Sequence, residues 1–198
     1  MASTPMKEED ILRAELGHKK ACKSFYPLIF PDAKKIHYTD MFLRKDDVRS
    51  QIYDGELCID YILEIEGPTG RLPVPIYVQE RFRNPKKFGR YRDLTACEWH
   101  RNSDTKGEVY KIAADFYLYG YYDIEADIIT EAVWVNVAEL KTLWLEGTLS
   151  LDKTDYNKGR KEDFCSFPFE TLDELGALYY WYIHPKRELL TYGQQKAG

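Results

Sequence analysis

Hydrophobic and polar positions alternate most clearly in the middle of the chain, between residues 56 and 82. Two stretches there, Glu56–Ile65 (ELCIDYILEI) and Val74–Phe82 (VPIYVQERF), are rich in β-branched and aromatic residues, and EGPTG lies between them. Residues of this kind favour strands, and Pro and Gly between two such runs favour a reversal of the chain. The pattern therefore predicts two strands paired as an antiparallel hairpin.

An amphipathic helix is predicted ahead of the hairpin, over residues 7–24, with three acids near its N-terminal end. The next segment, Phe25–Pro31 (FYPLIFP), contains two prolines, which are expected to keep it from being helical. Residues 36–43 could form a strand, and residues 46–54 are predicted to be a polar connection.

The second half of the chain mixes strands with short helices. The first predicted elements are a strand at 94–100, a helix near 106–114, and strands at 116–122 and 128–135. A helix follows, which begins at the capping box Asn136–Glu139 and ends at Gly147, and residues 150–163 are predicted to be an exposed polar loop. In the last predicted helix the capping pattern Thr171–Glu174 precedes the apolar GALYYWYI. The order is roughly α-β-β-β-α-β-β-α-α. It predicts an α/β fold, with a central mixed sheet flanked by helices, in a single domain over residues 1–198.

Composition narrows the class of protein. A chain of 198 residues, 44% apolar and 31% charged, can bury a core and is not expected to be disordered. It has no apolar run of the roughly 20 residues that a membrane-spanning helix needs, and its start, MASTPMKEED, does not look like a secretory signal. The four cysteines are far apart, without a CxxC pair, which argues against a zinc cage. We therefore expect a cytoplasmic protein with reduced cysteines and no membrane partner.

Positive charge is concentrated in one segment, although the formal net charge is −5. Residues 81–92 (RFRNPKKFGRYR) carry +6, so the rest of the chain carries −11. The six cations are Arg81, Arg83, Lys86, Lys87, Arg90 and Arg92, and three aromatic residues stand between them. Cations of this kind bind phosphates, and aromatic rings stack on bases, so the segment predicts a nucleic-acid contact. The alternative is a solvated loop whose cations pair with nearby acids.

Asp60 is a lone acid within an otherwise apolar strand, where a carboxylate is costly unless a cation compensates it. Hairpin pairing is expected to bring Asp60 close to Gln79, Glu80 and Arg81. Carboxylate and amide oxygens beside a cation could hold Mg²⁺ and a phosphate oxygen. The alternative is a structural ion pair between Asp60 and Arg81 or Arg92.

An acid on one strand, a hairpin, and then Gln79-Glu80-Arg81 on the next strand resemble the PD-(D/E)XK nuclease superfamily. The resemblance covers about residues 8–125 and implies a restriction-endonuclease-like core, with a C-terminal elaboration over about 126–198. It implies that Asp60 and the second acid position bind a metal, and that Arg81 stands where the family has lysine. It also implies an assisting acid on the first helix, for which Glu15 is the first candidate and Glu8 and Glu9 are the alternatives.

Two frames of that motif stay open. Strand parity groups Gln79 with Arg81 on one face and Glu80 with Phe82 on the other. The first frame gives Gln-x-Arg where the family has Glu-x-Lys, and the second keeps an acid but puts Phe82 in the lysine position. Arg81 cannot give up a proton, so it could act as an electrostatic clamp and not as a base.

These observations predict a nuclease that uses Mg²⁺ or Mn²⁺ and cleaves DNA in preference to RNA, as an endonuclease in preference to an exonuclease. Its expected nucleic-acid contacts are Arg83, Lys86, Lys87, Arg90 and Arg92, together with Lys106 and Lys111, which the family resemblance places beside the substrate. A homodimer would suit cleavage of both strands of a duplex. Two alternatives remain: a nucleic-acid-binding protein without catalytic activity on the same fold, and a protein–protein interaction module.

Overall fold

The computed structural model describes residues 8–41, 47–67, 69, 74–101, 103–149 and 162–185. The helices are α1 (Glu8–Lys20), α2 (Tyr26–Ile29), α3 (Val48–Ser50), α4 (Pro85–Phe88), α5 (Glu108–Lys111), α6 (Val137–Leu145) and α7 (Phe169–Glu174), with π-helical segments at Ala21–Phe25 and Gln51–Glu56. The strands are β1 (Lys35–Asp40), β2 (Tyr61–Glu66), β3 (Val74–Arg83), β4 (Asp93–His100), β5 (Thr105–Lys106), β6 (Phe116–Asp123), β7 (Ile128–Asn136), β8 (Glu162–Pro168) and β9 (Leu178–Ile183).

The central sheet has six strands in the order β1-β2-β3-β6-β7-β9. The β3–β6 pair is parallel and the other neighbours are antiparallel, so the sheet is mixed. Strands β2 and β3 pair as the predicted antiparallel hairpin, with Tyr61 opposite Val78. Helices pack on both faces of this sheet, which confirms the predicted α/β class. A second sheet has three strands in the order β5-β4-β8.

Each face of the central sheet has its own hydrophobic core. On one face α1 and the π-helical turn after it cover Leu63, Val78 and Trp134. On the other face the second sheet and helices α5 to α7 cover a core that includes Tyr119 and Val133. Strand β3 is therefore covered on both sides, and its successive side chains enter different environments.

The segment Phe25–Pro31 was expected to be non-helical, and this prediction is wrong. The first helix continues through a π-helical turn, Ala21–Phe25, into α2. Pro27 lies at the start of α2, where a missing N–H removes no helical hydrogen bond. The proline thus begins a new helical turn instead of ending the helix.

Two of the predicted elements in the second half have different roles in the structure. The segment that ends in LYYWYI is not a helix: α7 ends before Gly176, whose φ of +76° suits glycine, and Leu178–Ile183 then forms β9 at the edge of the central sheet. The strand predicted at 94–100 exists but belongs to the second sheet. Because β1 joins the central sheet, the order α-β-β-β-α-β is kept there by α1, β1, β2, β3, α5 and β6.

Parts of several predicted elements, namely residues 42–43, much of the hairpin turn and most of the polar loop at 150–163, lie outside the described residues. Among the residues that the structure describes, no helix has the length and apolar character needed to cross a membrane.

Candidate active site

Asp60 forms hydrogen bonds to β3 at Val78 and at Glu80, the residues on either side of Gln79. Its own N–H donates to the carbonyl oxygen of Val78 (2.9 Å), and its carboxylate Oδ2 accepts from the N–H of Glu80 (2.8 Å). Only 2% of Asp60 is exposed. The carboxyl group therefore points towards residues 79–81, as the sequence predicts.

Gln79 and Arg81 lie on the same face of β3, since alternate residues of a strand share a face. On this face Arg81 contacts β4 and α5, whereas Val78 and Phe82 pack into the core beneath α1. Gln79 Oε1 is buried and has no hydrogen-bond partner within the described part of the chain. A buried amide oxygen without a donor is costly, so this atom is suited to an additional ligand.

Arg81 is fixed by groups from two other elements. One of its guanidinium nitrogens donates to Glu108 Oε2 (3.0 Å) and to the carbonyl oxygen of Thr95 (3.2 Å). Tyr117 donates to the other oxygen of Glu108 (2.8 Å), so the carboxylate is held from two sides. The Arg81 side chain as a whole is still 32% exposed.

The charges around Asp60 are predominantly negative. Burial raises the pKa of the Asp60 carboxyl well above its usual range, and the nearby acids Asp54, Glu80 and Glu108 raise it further, against the hydrogen bond from the Glu80 N–H. Burial lowers the pKa of Arg81, but Glu108, Tyr117 and Tyr119 together raise it further, so the guanidinium stays charged. A cation next to Asp60 would stabilise the ionised carboxylate.

Glu80 lies on the opposite face of β3 and already has partners there. Its carboxylate accepts from the Tyr26 hydroxyl and lies 3.0–3.1 Å from His18 Nδ1. Asp60 therefore lies across the hairpin from Gln79 and Glu80, and Arg81 lies on the Gln79 face of β3. Of the two frames that the sequence leaves open, Glu-x-Phe has its carboxylate already engaged by His18 and Tyr26, and Gln-x-Arg has a buried amide oxygen without a partner among the described residues.

The predicted assisting acid, Glu15, is exposed on α1. Helix α1 packs against the face of the sheet that carries Glu80, and there its Gly17 lies against the ring of Phe82. The structure thus places Glu15 on the α1 side and does not bring it to Asp60.

Part of the positive charge of segment 81–92 is neutralised. Lys86 pairs with Glu125, and Arg92 pairs with Glu131 and with Glu170. These ion pairs agree with the alternative interpretation, in which the segment is a surface loop whose cations pair with nearby acids. They leave Lys86 and Arg92 as weaker candidates for phosphate contacts.

The other cations of this segment have aromatic neighbours. The guanidinium carbon of Arg83 lies 4.0 Å from the ring centroid of Phe88, and that of Arg90 lies 4.7 Å from Tyr91. Lys87 and Arg90 are exposed, and neither they nor Arg83 forms an ion pair with a described residue. These three residues carry the accessible positive charge of the segment.

The two candidate lysines near α5 are both exposed. Lys106 lies over the ring of Tyr110, with Nζ 5.0 Å from the centroid, and Lys111 ends α5. Helix α5 also carries Glu108, so Lys106 and Lys111 are on elements adjacent to the Arg81 side of the site.

The donor atoms beside Asp60 fit one type of metal. Mg²⁺ and Mn²⁺ take oxygen ligands, and Mg²⁺ keeps several waters and is usually held by one or two carboxylates together with substrate phosphates. Asp60 and the unpartnered Gln79 Oε1 are donors of this kind. Over the described ranges no group of three or more His, Cys, Asp or Glu residues could hold a metal ion. The residues therefore fit an open site completed by water and substrate, and they do not fit a closed protein cage.

Sequence reasoning missed the partners that fix this site. Glu108, which holds Arg81, was not singled out as a site residue. His18 and Tyr26, which hold Glu80, were not singled out as site residues. These partners come from other elements. Strand parity alone places Glu80 on a different face from Gln79 and Arg81, but it does not identify the residues that Glu80 contacts.

Comparisons with known proteins add little to this geometry. No family model matches the chain, and no curated protein matches it. A solved structure described as a nuclease from a fusselovirus aligns over 87% of this chain and 93% of that chain, with a TM-score of 0.42 and 14% sequence identity. A similarity of this size assigns neither a family nor an activity.

Proposed function

We propose that this protein is a metal-dependent phosphodiesterase of the nuclease type, acting on DNA in preference to RNA. One observation carries the proposal: Asp60 lies across the β2–β3 hairpin from Gln79, whose buried Oε1 has no partner among the described residues, and Arg81 lies on the Gln79 face of β3. Two hard oxygen donors beside a fixed cation are the arrangement that phosphoryl transfer requires.

Each residue has a role in this proposal. Asp60 and Gln79 would hold Mg²⁺ or Mn²⁺, and such an ion supplies an activated water and neutralises phosphate charge. Arg81 would bind the phosphate with its guanidinium, which stays charged throughout. Glu108 orients Arg81, since it is 14% exposed and accepts from both Arg81 and Tyr117.

The experiment is a cleavage assay with plasmid, linear duplex and single-stranded DNA, and with RNA, in Mg²⁺ or Mn²⁺. Asp60→Asn is the informative variant, because the amide keeps the shape and can still accept from the Glu80 N–H. Glu64→Gln, an acid-to-amide change on β2, is the matched control. We expect cleavage by the wild type and by Glu64→Gln, and a loss of at least about 100-fold in Asp60→Asn. Full activity in Asp60→Asn would contradict the proposed site.

A second candidate is a nucleic-acid-binding protein without catalytic activity. The ion pair between Arg81 and Glu108 favours it, because a cation that is already neutralised offers less to a phosphate. This candidate predicts salt-sensitive binding that does not depend on a divalent metal and no cleavage of any substrate. Absence of binding at low salt would exclude both candidates and direct attention to a protein partner.

A further inference from the structure

A chain of polar contacts on the α1 face of the sheet ends at a cysteine. Cys22 Sγ lies 3.3 Å from His18 Nε2, and His18 Nδ1 lies 3.0 Å from Glu80 Oε2. Cys22 is one helical turn after His18, so the two side chains face each other along the same helix. A thiol, an imidazole and a carboxylate therefore lie in contact in this order.

The surroundings hold the imidazole in one orientation. Its ring stacks on Tyr61 with a centroid separation of 3.5 Å and an interplanar angle of 2°, and the ring of Tyr38 meets its edge at 6.0 Å. The Glu80 carboxylate is 3% exposed and also accepts from Tyr26. The sulfur lies 3.3 Å from Nε2 and 4.0 Å from Nδ1, so it sits beside the imidazole ring and not on the axis of the Nε2 hydrogen.

The imidazole carries a positive charge at neutral pH. Burial alone would lower the pKa of His18, but Glu80 and the hydrogen bonds with Cys22 and Glu80 raise it to about 10. The titratable groups that face the ring come from the π-helical turn, α2, β1, β2 and β3 and are Cys22, Tyr26, Tyr38, Tyr61 and Glu80. A cation beside a cysteine sulfur stabilises the thiolate, which is the nucleophilic form.

We propose that Cys22 is a nucleophilic thiol that exchanges with small-molecule disulfides, with His18 as its cationic partner and Glu80 as a positioning residue. In the exchange the Cys22 thiolate attacks one sulfur of the disulfide, an S–S bond forms to Cys22, and the original S–S bond breaks. The departing thiolate takes a proton from solvent. The backbone N–H of Glu80 contacts Asp60, but the exchange uses neither the Asp60 carboxylate nor a metal, so the inference does not rest on the proposed hydrolytic activity.

The other cysteines provide internal controls. Cys97 and Cys165 are buried, 7% and 0% exposed. Cys58 is partly buried, like Cys22, but its neighbours are acids: burial, Glu108 and Asp60 raise the pKa of its thiol to about 12. The Cys58 sulfur therefore lies in a predominantly acidic environment, whereas Cys22 lies next to the His18 imidazole.

The experiment measures mixed-disulfide formation with oxidised glutathione at each cysteine by peptide mass spectrometry. In the native wild type we expect Cys22 to react at least about tenfold faster than Cys58, and in denaturant the two rates should become similar. Equal rates in the native protein, or a slower rate at Cys22, would overturn the proposal without the need for any variant.

Variants then test the partners. His18→Ala should slow Cys22 by about tenfold, and free imidazole should restore part of the rate, which a purely structural role would not allow. Glu80→Gln keeps the volume of the side chain and should slow Cys22 as well. Continued protection of Cys165 reports that each variant is folded. An unchanged Cys22 rate in a folded His18→Ala protein would overturn the assignment of His18.

Discussion

The two faces of β3 differ in how completely their polar groups are satisfied. On the α1 face Glu80 is paired with a protonated imidazole and a phenol, so its charge is compensated inside the protein. On the opposite face Asp60 has a raised pKa, and Gln79 Oε1 has no partner among the described residues. Successive residues of one strand thus supply a closed stabilising network and an incomplete site. A cation bound on the incomplete face would stabilise the ionised Asp60 carboxylate and so lower the free energy of the folded protein.

The largest effect on stability should come from removing the Glu80 carboxylate, which holds the network on the α1 face. Glu80→Ala leaves the His18 imidazolium buried without its counter-charge and the Tyr26 hydroxyl without its acceptor. We expect a loss of about 3–5 kcal/mol in the free energy of unfolding. Gln79→Ala, the neighbouring change on the other face, should cost less than about 1 kcal/mol, because it removes an oxygen that has no partner. Urea denaturation of both variants tests the comparison, and similar losses would contradict it.

The same pair should make stability depend on pH. The pKa of His18 rises from 6.5 to about 10 on folding, so its contribution is complete below about pH 6.5 and is lost as the pH rises through about 10. We expect the wild type to lose about 2–4 kcal/mol relative to His18→Asn over this interval. The difference between the two denaturation curves, measured at several pH values, removes the titration of other groups. A constant difference would mean that His18 is neutral in the folded protein.

Much of this fold could be predicted, because the relevant signals are local. The hairpin of β2 and β3 follows from alternation and a turn, and α6 follows from the Asn136 cap, which accepts from the N–H of Glu139 as predicted. The errors occurred where tertiary packing decides. Pro27 was treated as a helix breaker although a π-helical turn accommodates it, and the aromatic run that forms β9 was assigned to a helix because a capping pattern precedes it.

The candidate site was predictable only along the two strands that build it. Pairing and parity suffice to place Asp60 towards residues 79–81 and to group Gln79 with Arg81. The groups that decide what each side chain can do come from elsewhere in the chain: His18 reaches Glu80, and Glu108 reaches Arg81, through the packing of α1 and α5. No local pattern in the sequence specifies those contacts.

On the incomplete face the expected effect has the opposite sign. A carboxyl group with a raised pKa stabilises the fold below its unfolded pKa of 3.8, and that contribution is lost as the pH rises through the folded value. At neutral pH the unfavourable ionisation of the buried Asp60 therefore destabilises the metal-free protein, and Asp60→Asn should be more stable by about 1–3 kcal/mol. The gain should disappear towards pH 4.

Adding Mg²⁺ should reverse the order of these two proteins. Binding to the folded state alone stabilises a protein by about 2.7 kcal/mol at 100 times the dissociation constant. We expect this shift in the wild type and not in Asp60→Asn, measured by urea denaturation with and without the ion. An equal shift in both proteins would place the ion elsewhere.

The smallest effect on stability should come from the accessible cations. Lys87 and Arg90 are exposed and form no ion pair with a described residue, so Lys87→Ala/Arg90→Ala should change the free energy of unfolding by less than about 0.5 kcal/mol. If these residues contact phosphates, the double variant should bind duplex DNA with a weaker dependence on salt. The slope of the logarithm of the binding constant against the logarithm of the salt concentration should become shallower by about two. Lys19→Ala/Lys35→Ala removes the same charge from exposed positions on α1 and β1. Equal slopes for the two double variants would show that net charge, and not the segment after β3, governs binding.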